Sequence, residues 1–357
     1  MTPVELSRTV LRAVRRAVDG GELDVDVPGR VRVGPPGPGG CGDYATGIAL
    51  QLARPAGQSP YRVAEVLRTH LTGADGIAGV VLTGPGFLNI SLHRTAPAEL
   101  VAEVLLRGPR YGHLDPEGGD GGEGERRLVR LHCDHHPRAL VVADAAARIL
   151  RSQGALARVS CTTPPPPEWA VALGVRVDVD AEGPAPDEPP VEIRPVPAPG
   201  DPLPLGRDAG RWALLHPAAH DRPRIGDEHL VQRESNPLFR VRYAHARTRA
   251  LTRNAADLGF AAEPGPVETP DTHGIHALLA DHPRVLAAAA AHHAPDRLAR
   301  HLVTVADAVL PFLPTVLPRG GEKPSAAHRA RLALAEAAGT VLAGGLTLLG
   351  IDAPDHL

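Results

Sequence analysis

The stretch Asn236-Pro-Leu-Phe-Arg-Val-Arg-Tyr-Ala-His-Ala-Arg-Thr-Arg-Ala-Leu251 decides the fold of the C-terminal part of the chain. Asn236-Pro237 closes a turn, and Pro237 begins a helix at the position where its missing N–H costs least. Apolar and small residues then recur at helical spacing on one face: Leu238, Val241, Ala244, Thr248 and Leu251. The other face is basic: Arg240, Arg242, His245, Arg247, Arg249 and Arg253. The pattern predicts an amphipathic, arginine-rich helix.

One aromatic residue, Tyr243, lies among these cations. Arginine beside an aromatic ring is the chemistry that binds phosphates and stacked, unpaired bases. A solvated basic face on a helix bundle has the same pattern, since most charge runs on helices only face water. The helix by itself therefore leaves both interpretations open.

The motif inside this stretch resembles a known family. Asn236-Pro237, followed after five residues by Tyr243-Ala-His-Ala-Arg247, is similar to the helix that opens the anticodon-binding bundle of arginyl-tRNA synthetases. The resemblance implies that the tRNA contacts of this bundle include Tyr243, His245, Arg247 and Arg249. It also implies an all-α, DALR-type anticodon-binding domain over 205–357.

Composition limits the classes of function. The chain has 357 residues, which is long enough for two or three domains. Its net charge is −3, so a nucleic-acid site must be a local basic patch. Lys323 is the only lysine, and the arginine richness looks like a coding bias. Cys41, Cys133 and Cys161 are isolated, which is typical of a reducing compartment. No secretory signal or membrane span is evident, so we predict a cytoplasmic protein without membrane contact.

Residues 1–113 have the pattern of a small α+β domain. Helices are predicted at 3–19, from 42, from 60 and at 97–106, and strands at 25–33, 77–82 and 87–92. The loop Gly34–Gly40 lacks the lysine of a phosphate-binding loop. Gly42-Asp-Tyr-Ala-Thr46 and Gly84-Pro-Gly-Phe-Leu-Asn89 resemble the N-terminal domain of arginyl-tRNA synthetases. The resemblance implies that Phe87 stacks on, and Asn89 hydrogen-bonds, a flipped-out nucleotide at the tRNA elbow; a core position is equally consistent for Phe87.

The middle of the chain begins with an acidic, glycine-rich linker at 114–126. A strand at 128–131, the turn His132-Cys-Asp-His-His-Pro137 and a helix at 138–153 follow. The helix resembles the one after the ATP-binding turn of the synthetases, where two histidines flank a glycine at a helix N-terminus. Here Cys133 falls on the first histidine, His135 on the glycine and His136 on the second. The signature is broken, so no catalytic residue is assigned. The crowded histidines are too close in sequence for a usual zinc site, and no metal is predicted.

The remaining part of 127–204 is short and rich in proline. We predict a strand at 169–179 and a linker at 183–204 with one short strand at 191–194. These residues are far fewer than a complete nucleotide-binding sheet requires, and no lysine-bearing ATP loop is present. The segment is therefore interpreted as a truncated remnant of a class I catalytic domain.

The C-terminal domain is predicted to begin with a helical entry at 205–215. After the Asn236 helix, further helices are predicted at 274–280, 283–293, 295–313 and 325–349. The predicted fold class is thus multidomain α+β: an N-terminal α+β domain, a short α/β remnant and an all-α bundle.

Three functions follow from this interpretation. The first is a non-catalytic protein that binds tRNA, with tRNA-Arg as one candidate, as a monomer and without a cofactor. The second is residual arginine–tRNA ligase activity, or a helper role in it, with ATP as cofactor. The third is a regulatory module whose bundle binds a protein partner.

Overall fold

The computed structural model describes residues 2–93, 96–114, 128–178, 189–267 and 272–357. The chain forms two compact units, Met1–Leu100 and Val101–Leu357. The predicted linker at 114–126, apart from Leu114, and part of the one at 183–204 lie outside the described residues.

The first unit packs helices against a small antiparallel sheet. Its elements are α1 (Pro3–Asp19), β1 (Tyr44–Thr46), α2 (Ile48–Ala53), α3 (Pro60–Leu71), β2 (Ile77–Thr83), β3 (Phe87–Leu92) and the start of α4 (Ala96–Arg107). The strand order is β1-β3-β2. A capping box between Thr2 and Glu5 fixes the start of α1, whose apolar face is buried in the core. The predicted α+β class of this unit is confirmed.

Two local predictions in this unit are wrong. Tyr44–Thr46 was expected to open a helix but forms an edge strand, because Ala45 pairs with Asn89 and bridges to Gly34. The nonlocal strand pairing therefore determines the conformation of this segment, and the local helical pattern does not. The valines at 25–33 do not form a strand: Val31 and Val33 are buried in the core, but they lie in a segment without regular secondary structure.

The second unit begins before residue 113. The Tyr111 hydroxyl donates to the Leu279 carbonyl at 3.1 Å, so Tyr111 packs with the helices of this unit and not with the domain predicted for 1–113. A three-stranded parallel sheet follows, in the order β5-β4-β6. Its elements are β4 (Leu128–Cys133), α5 (Pro137–Ser152), β5 (Leu156–Cys161), α6 (Pro167–Leu173) and β6 (Val191–Ile193).

The strand predicted for 169–179 is wrong. Pro167 occupies the first turn of a helix, which ends at Leu173 where Gly174 adopts a left-handed conformation. Val171 is 82% exposed, so the alternation of valines does not mark a half-buried strand. The sequence reading also missed β5, whereas the predicted short strand at 191–194 is confirmed.

The helical bundle completes the second unit. It contains α7 (Gly206–Leu215), α8 (Pro237–Asp257), α9 (Thr272–Ala291), α10 (Pro295–Val309) and α11 (Ala326–Leu348). The two helices predicted at 274–280 and 283–293 are one helix that continues through Pro283. The buried face runs past the proline from Leu279 to Leu286, and this packing offsets the lost backbone hydrogen bond.

By length and composition, α11 alone among the described helices could cross a membrane. Because 67% of its apolar window is buried inside the unit, it has the character of a core helix.

Candidate nucleic-acid interface

Asn236 fixes the start of α8. Its side-chain oxygen accepts from the Leu238 amide at 3.1 Å, and its amide group donates to the carbonyls of His229 and Val231 at 2.9 and 3.0 Å. Asn236 is buried, and through these bonds its one side chain both caps the helix and fixes the loop that precedes it. The Asn-Pro pair therefore sets the angle at which α8 enters the bundle.

Three side chains follow one another along α8 at intervals of four residues: the half-buried Phe239 and the exposed Tyr243 and Arg247, hereafter the Tyr243 stripe. The rings of Phe239 and Tyr243 stack with centroids 5.4 Å apart and planes 15° apart. Tyr243 is 38% exposed. Arg247 is exposed and has no carboxylate partner in the described part of the chain. An accessible ring beside a free guanidinium can stack on a base and bind a phosphate.

Most other arginines of α8 are neutralised within the protein. Arg240 pairs with Asp307 at 3.1 Å, and Arg242 pairs with Asp208 at 3.2 Å. Arg249 pairs with Asp355 at 3.1 Å. The predicted basic face is thus smaller than the sequence indicates, because its carboxylate partners come from distant segments. Any phosphate bound at Arg249 must compete with Asp355.

His245 lies inside the bundle. Its Nδ1 is 3.1 Å from the Gly339 carbonyl of α11, and its Nε2 is 3.6 Å from Asp355. Burial lowers the pKa of His245, although the Gly339 carbonyl and Asp355 act in the opposite direction. The residue predicted to contact tRNA therefore joins α8 to α11 and supports the exposed stripe from below.

A cavity of about 350 Å³ opens beside Phe239. Its walls include Leu230, Gln232, Arg242 and Leu357. Sequence reasoning missed this cavity because the loop before α8 and the C-terminal segment carry no periodic signal.

Phe87 is the exposed member of the predicted elbow site. It begins β3 and is 42% exposed. Its ring lies against Gly47, where a Cβ would come within 3.3 Å of it. At Gly86, φ is +144° and a Cβ would lie 2.8 Å from the Pro60 carbonyl, so only glycine fits this turn. The turn thus presents an aromatic ring at the end of the sheet.

Asn89 is 2% exposed and has a structural position. Its oxygen accepts from the Cys41 amide at 3.2 Å, and its nitrogen donates to the Thr83 hydroxyl at 2.7 Å. A Cβ on Gly40 would lie 2.8 Å from the Asn89 oxygen. Asn89 thus holds the Gly34–Gly40 loop against the sheet, and a direct nucleotide contact by its amide would require these bonds to break.

The turn between β4 and α5 is filled by its own side chains. His136 caps α5, because its Nδ1 accepts from the Ala139 amide at 3.1 Å, and burial lowers its pKa. His135 lies 2.8 Å from the Thr163 hydroxyl and packs against Trp169. Burial, followed by the neighbouring Cys161, raises the pKa of the Cys133 thiol to about 12. No group of three or more side chains with metal-ligand geometry occurs within the described ranges.

Two domain matches define the class of the protein. A family model described as the arginyl tRNA synthetase N terminal domain matches residues 5–92, and one described as the DALR anticodon binding domain matches residues 241–357. The second match contains α8 from Val241 onward. The chain thus combines an N-terminal synthetase domain with an anticodon-binding helical domain.

The chain is a relative of the arginyl-tRNA synthetases. It is 41% identical to the arginine–tRNA ligase of Renibacterium salmoninarum over 162 residues, which are 43% of this chain and 29% of that enzyme. The match to the Frankia alni enzyme is 39% over 166 residues, 43% of this chain and 28% of the enzyme. These two matches span less than a third of the relatives' own length.

A longer match extends over the whole chain. The Paenarthrobacter aurescens arginine–tRNA ligase is 25% identical over an alignment of 550 positions that covers all of both chains. Since this chain has 357 residues, many aligned positions of that enzyme have no counterpart here.

Two solved structures share the fold. Thermus thermophilus arginyl-tRNA synthetase matches with a TM-score of 0.65 at 15% identity, covering 100% of both chains. The Plasmodium falciparum enzyme matches with a TM-score of 0.66 at 8% identity, covering 99% of each. These two matches show a shared fold, while the two domain matches and the full-length relative confirm the predicted relationship to arginyl-tRNA synthetases.

Proposed function

We propose that this protein is a non-catalytic relative of arginyl-tRNA synthetases that binds tRNA. The observation that carries the proposal is the Tyr243 stripe: an exposed ring and an unpaired arginine on one face of the helix that opens the anticodon-binding domain. Stacking of one base on an aromatic side chain contributes about 1–3 kcal/mol. Phe87 would supply a second stacking contact in the first unit, and tRNA-Arg is the natural first candidate among tRNAs.

The non-catalytic part of the proposal rests on the turn between β4 and α5. The N-terminus of a helix binds phosphate when its amide groups are free. In this turn the imidazole of His136 takes the Ala139 amide, and Pro137 has no amide hydrogen to offer. His135 is held by Thr163, and the Cys133 thiol is buried. The cap and these contacts reduce the number of free groups that this helix N-terminus could offer to the phosphates of ATP.

Mutating the Tyr243 stripe should weaken tRNA binding. We expect Tyr243→Ala to raise the Kd for total tRNA roughly 5- to 100-fold, since one stacked base is lost. Arg247→Gln should raise it several-fold and lower the slope of log K against log [salt] by about one. Filter binding between about 0.05 and 0.2 M salt measures both effects. Arg297→Gln, which neutralises an exposed arginine on α10, should change neither.

Absent or salt-insensitive binding by the wild-type chain would contradict the tRNA proposal, because phosphate contacts weaken with salt. That result would favour a protein partner for the bundle. Wild-type binding that Tyr243→Ala leaves unchanged would place the RNA elsewhere on the chain.

The chain should not activate arginine. We expect ATP–pyrophosphate exchange in the presence of arginine to stay at the level of a no-protein control, with or without tRNA. A full-length arginyl-tRNA synthetase assayed in parallel is the positive control. Arginine-dependent exchange would overturn the non-catalytic assignment. It would not bear on the tRNA-binding assignment, which the filter-binding titration tests.

A further inference from the structure

The outer face of α1 carries four exposed arginines: Arg8, Arg12, Arg15 and Arg16, hereafter the α1 ridge. Helical geometry places these four positions within an arc of about 100°. None of them pairs with a carboxylate among the residues of the first unit that the structure describes. Within the described residues, the one side-chain hydrogen bond of these four arginines runs from Arg12 to the Thr9 hydroxyl at 3.0 Å. The α1 ridge thus differs from α8, where most arginines are paired.

The α1 ridge lies outside the buried face of its helix. The helix is held by its opposite face, with Leu6, Val10 and Val14 fully buried. Arg8 and Arg12, and likewise Arg12 and Arg16, are four residues apart, and like charges at this spacing destabilise a helix. An anionic partner lying along the helix would relieve this repulsion.

The neighbouring carboxylates do not neutralise the α1 ridge. Glu5 is engaged in the capping box, where its carboxylate accepts from the Thr2 amide. Asp19, at the C-terminal end of α1, is the other acid on this face, so four cations outnumber two anions. His70 and Glu22 pair with each other at 2.7 Å beside it.

A groove of about 540 Å³ runs beside the α1 ridge, between Arg12 and Arg16 and the turn that joins α3 to β2. Asp75 and Glu99 also line it. Acids on the far wall disfavour a small anion deep in the groove. The four exposed arginines on the crest of α1 suit an extended polyanion that lies along the helix outside the groove.

We propose that the α1 ridge is a phosphate-backbone contact for tRNA, separate from the Tyr243 stripe and from Phe87. The inference rests on the proposed function, since it names a further surface for the same partner. Arginine is suited to this task because its planar guanidinium can bind a phosphate through two parallel hydrogen bonds. The contact would add affinity without reading sequence.

The test compares double variants of the full chain by titration with total tRNA. Arg12→Gln/Arg16→Gln should raise the Kd roughly tenfold at about 0.1 M salt and lower the salt slope by one to two. Arg54→Gln/Arg68→Gln neutralises two exposed arginines elsewhere in the first unit, and should change the Kd by less than about twofold. Removing like charges should keep α1 stable, and circular dichroism verifies the fold.

The outcomes separate the two proposals. If Arg12→Gln/Arg16→Gln and Arg8→Gln/Arg15→Gln both match the control while Tyr243→Ala still weakens binding, the α1 ridge proposal is overturned and the proposed function stands. If the wild-type chain binds no tRNA, both fail. If the ridge variants alone lose affinity, the α1 ridge proposal is supported and the Tyr243 stripe is not the main contact.

Discussion

Replacing Arg211 by Met is expected to destabilise the second unit by about 3–5 kcal/mol, the usual effect of removing one partner from a buried ion pair. Arg211 is fully buried, and its guanidinium donates to Asp144 at 2.6 Å. It also donates to the carbonyls of Leu349 and Leu173 at 2.7 and 2.9 Å. Methionine fills a similar volume but leaves two buried carbonyls without these donors and leaves Asp144 with Arg148, at 2.9 Å, as its remaining cation.

Urea unfolding monitored by circular dichroism measures this effect. The matched control is Arg207→Met on the same helix, because Arg207 forms an exposed ion pair with Asp352 at 3.8 Å. Exposed pairs contribute about 0–1 kcal/mol, so the control should unfold close to the wild type. Equal losses in the two variants would show that the buried network contributes no more than a surface pair.

The Arg211 network explains why the small parallel sheet belongs to the helical unit. Asp144 lies on α5, next to the sheet, while Leu349 follows α11. A second buried arginine, Arg138, donates to five backbone carbonyls: Leu214, Val196, Asp221, Pro217 and Ala218. Two guanidinium groups thus join α5 to the entry of the bundle. Under the proposed function, the segment 128–193 acts as a scaffold for the anticodon-binding helices.

Sequence reasoning succeeded where local chemistry fixes an element. The starts of α1, α3 and α8 carry proline in the first turn, and their apolar faces repeat at helical spacing. It failed where contacts with residues distant in the sequence determine the secondary structure. Tyr44–Thr46 becomes a strand only because β3 lies beside it, and β5, with its mixed polar composition, gains its identity from pairing with β4.

The same contrast holds for the candidate site. The motif predicted the positions of Tyr243, Arg247 and Phe87, and the structure gives each of them an exposed side chain. His245 and Asn89 are buried against hydrogen-bond partners that are distant in the sequence: Gly339, 94 residues away, and Cys41, 48 residues away. A sequence motif does not show which of its residues face inward, so sequence alone could not separate the exposed motif residues from the buried ones.

Acid should destabilise the bundle through two buried histidines, His282 on α9 and His301 on α10, whose rings stack 5.3 Å apart. Burial is the main cause that lowers the pKa of His301 to about 4, and burial together with His301 and His113 lowers that of His282 well below 6.5. His282 Nδ1 and His301 Nε2 have no hydrogen-bond partner among the described residues, so a proton on either ring would be poorly solvated.

The direction in which stability changes with pH follows from the linkage between proton binding and folding. A histidine whose pKa is lower in the folded state than the unfolded value of about 6.5 is protonated first in the unfolded chain, so stability is fully present above about pH 6.5 and falls as the pH drops toward 4. For His301 the loss between about pH 7.5 and 5 is about 2 kcal/mol, and His282 adds to it.

The double variant His282→Phe/His301→Phe keeps two stacked rings and removes both titrations. We expect it to lose at least about 2 kcal/mol less than the wild type between about pH 7.5 and 5 in urea unfolding, because neither ring takes up a proton in the unfolded chain. His292→Phe, at the exposed end of α9, should keep the wild-type pH dependence. If the double variant and the wild type lose stability in parallel, the acid sensitivity comes from groups other than the buried histidine pair.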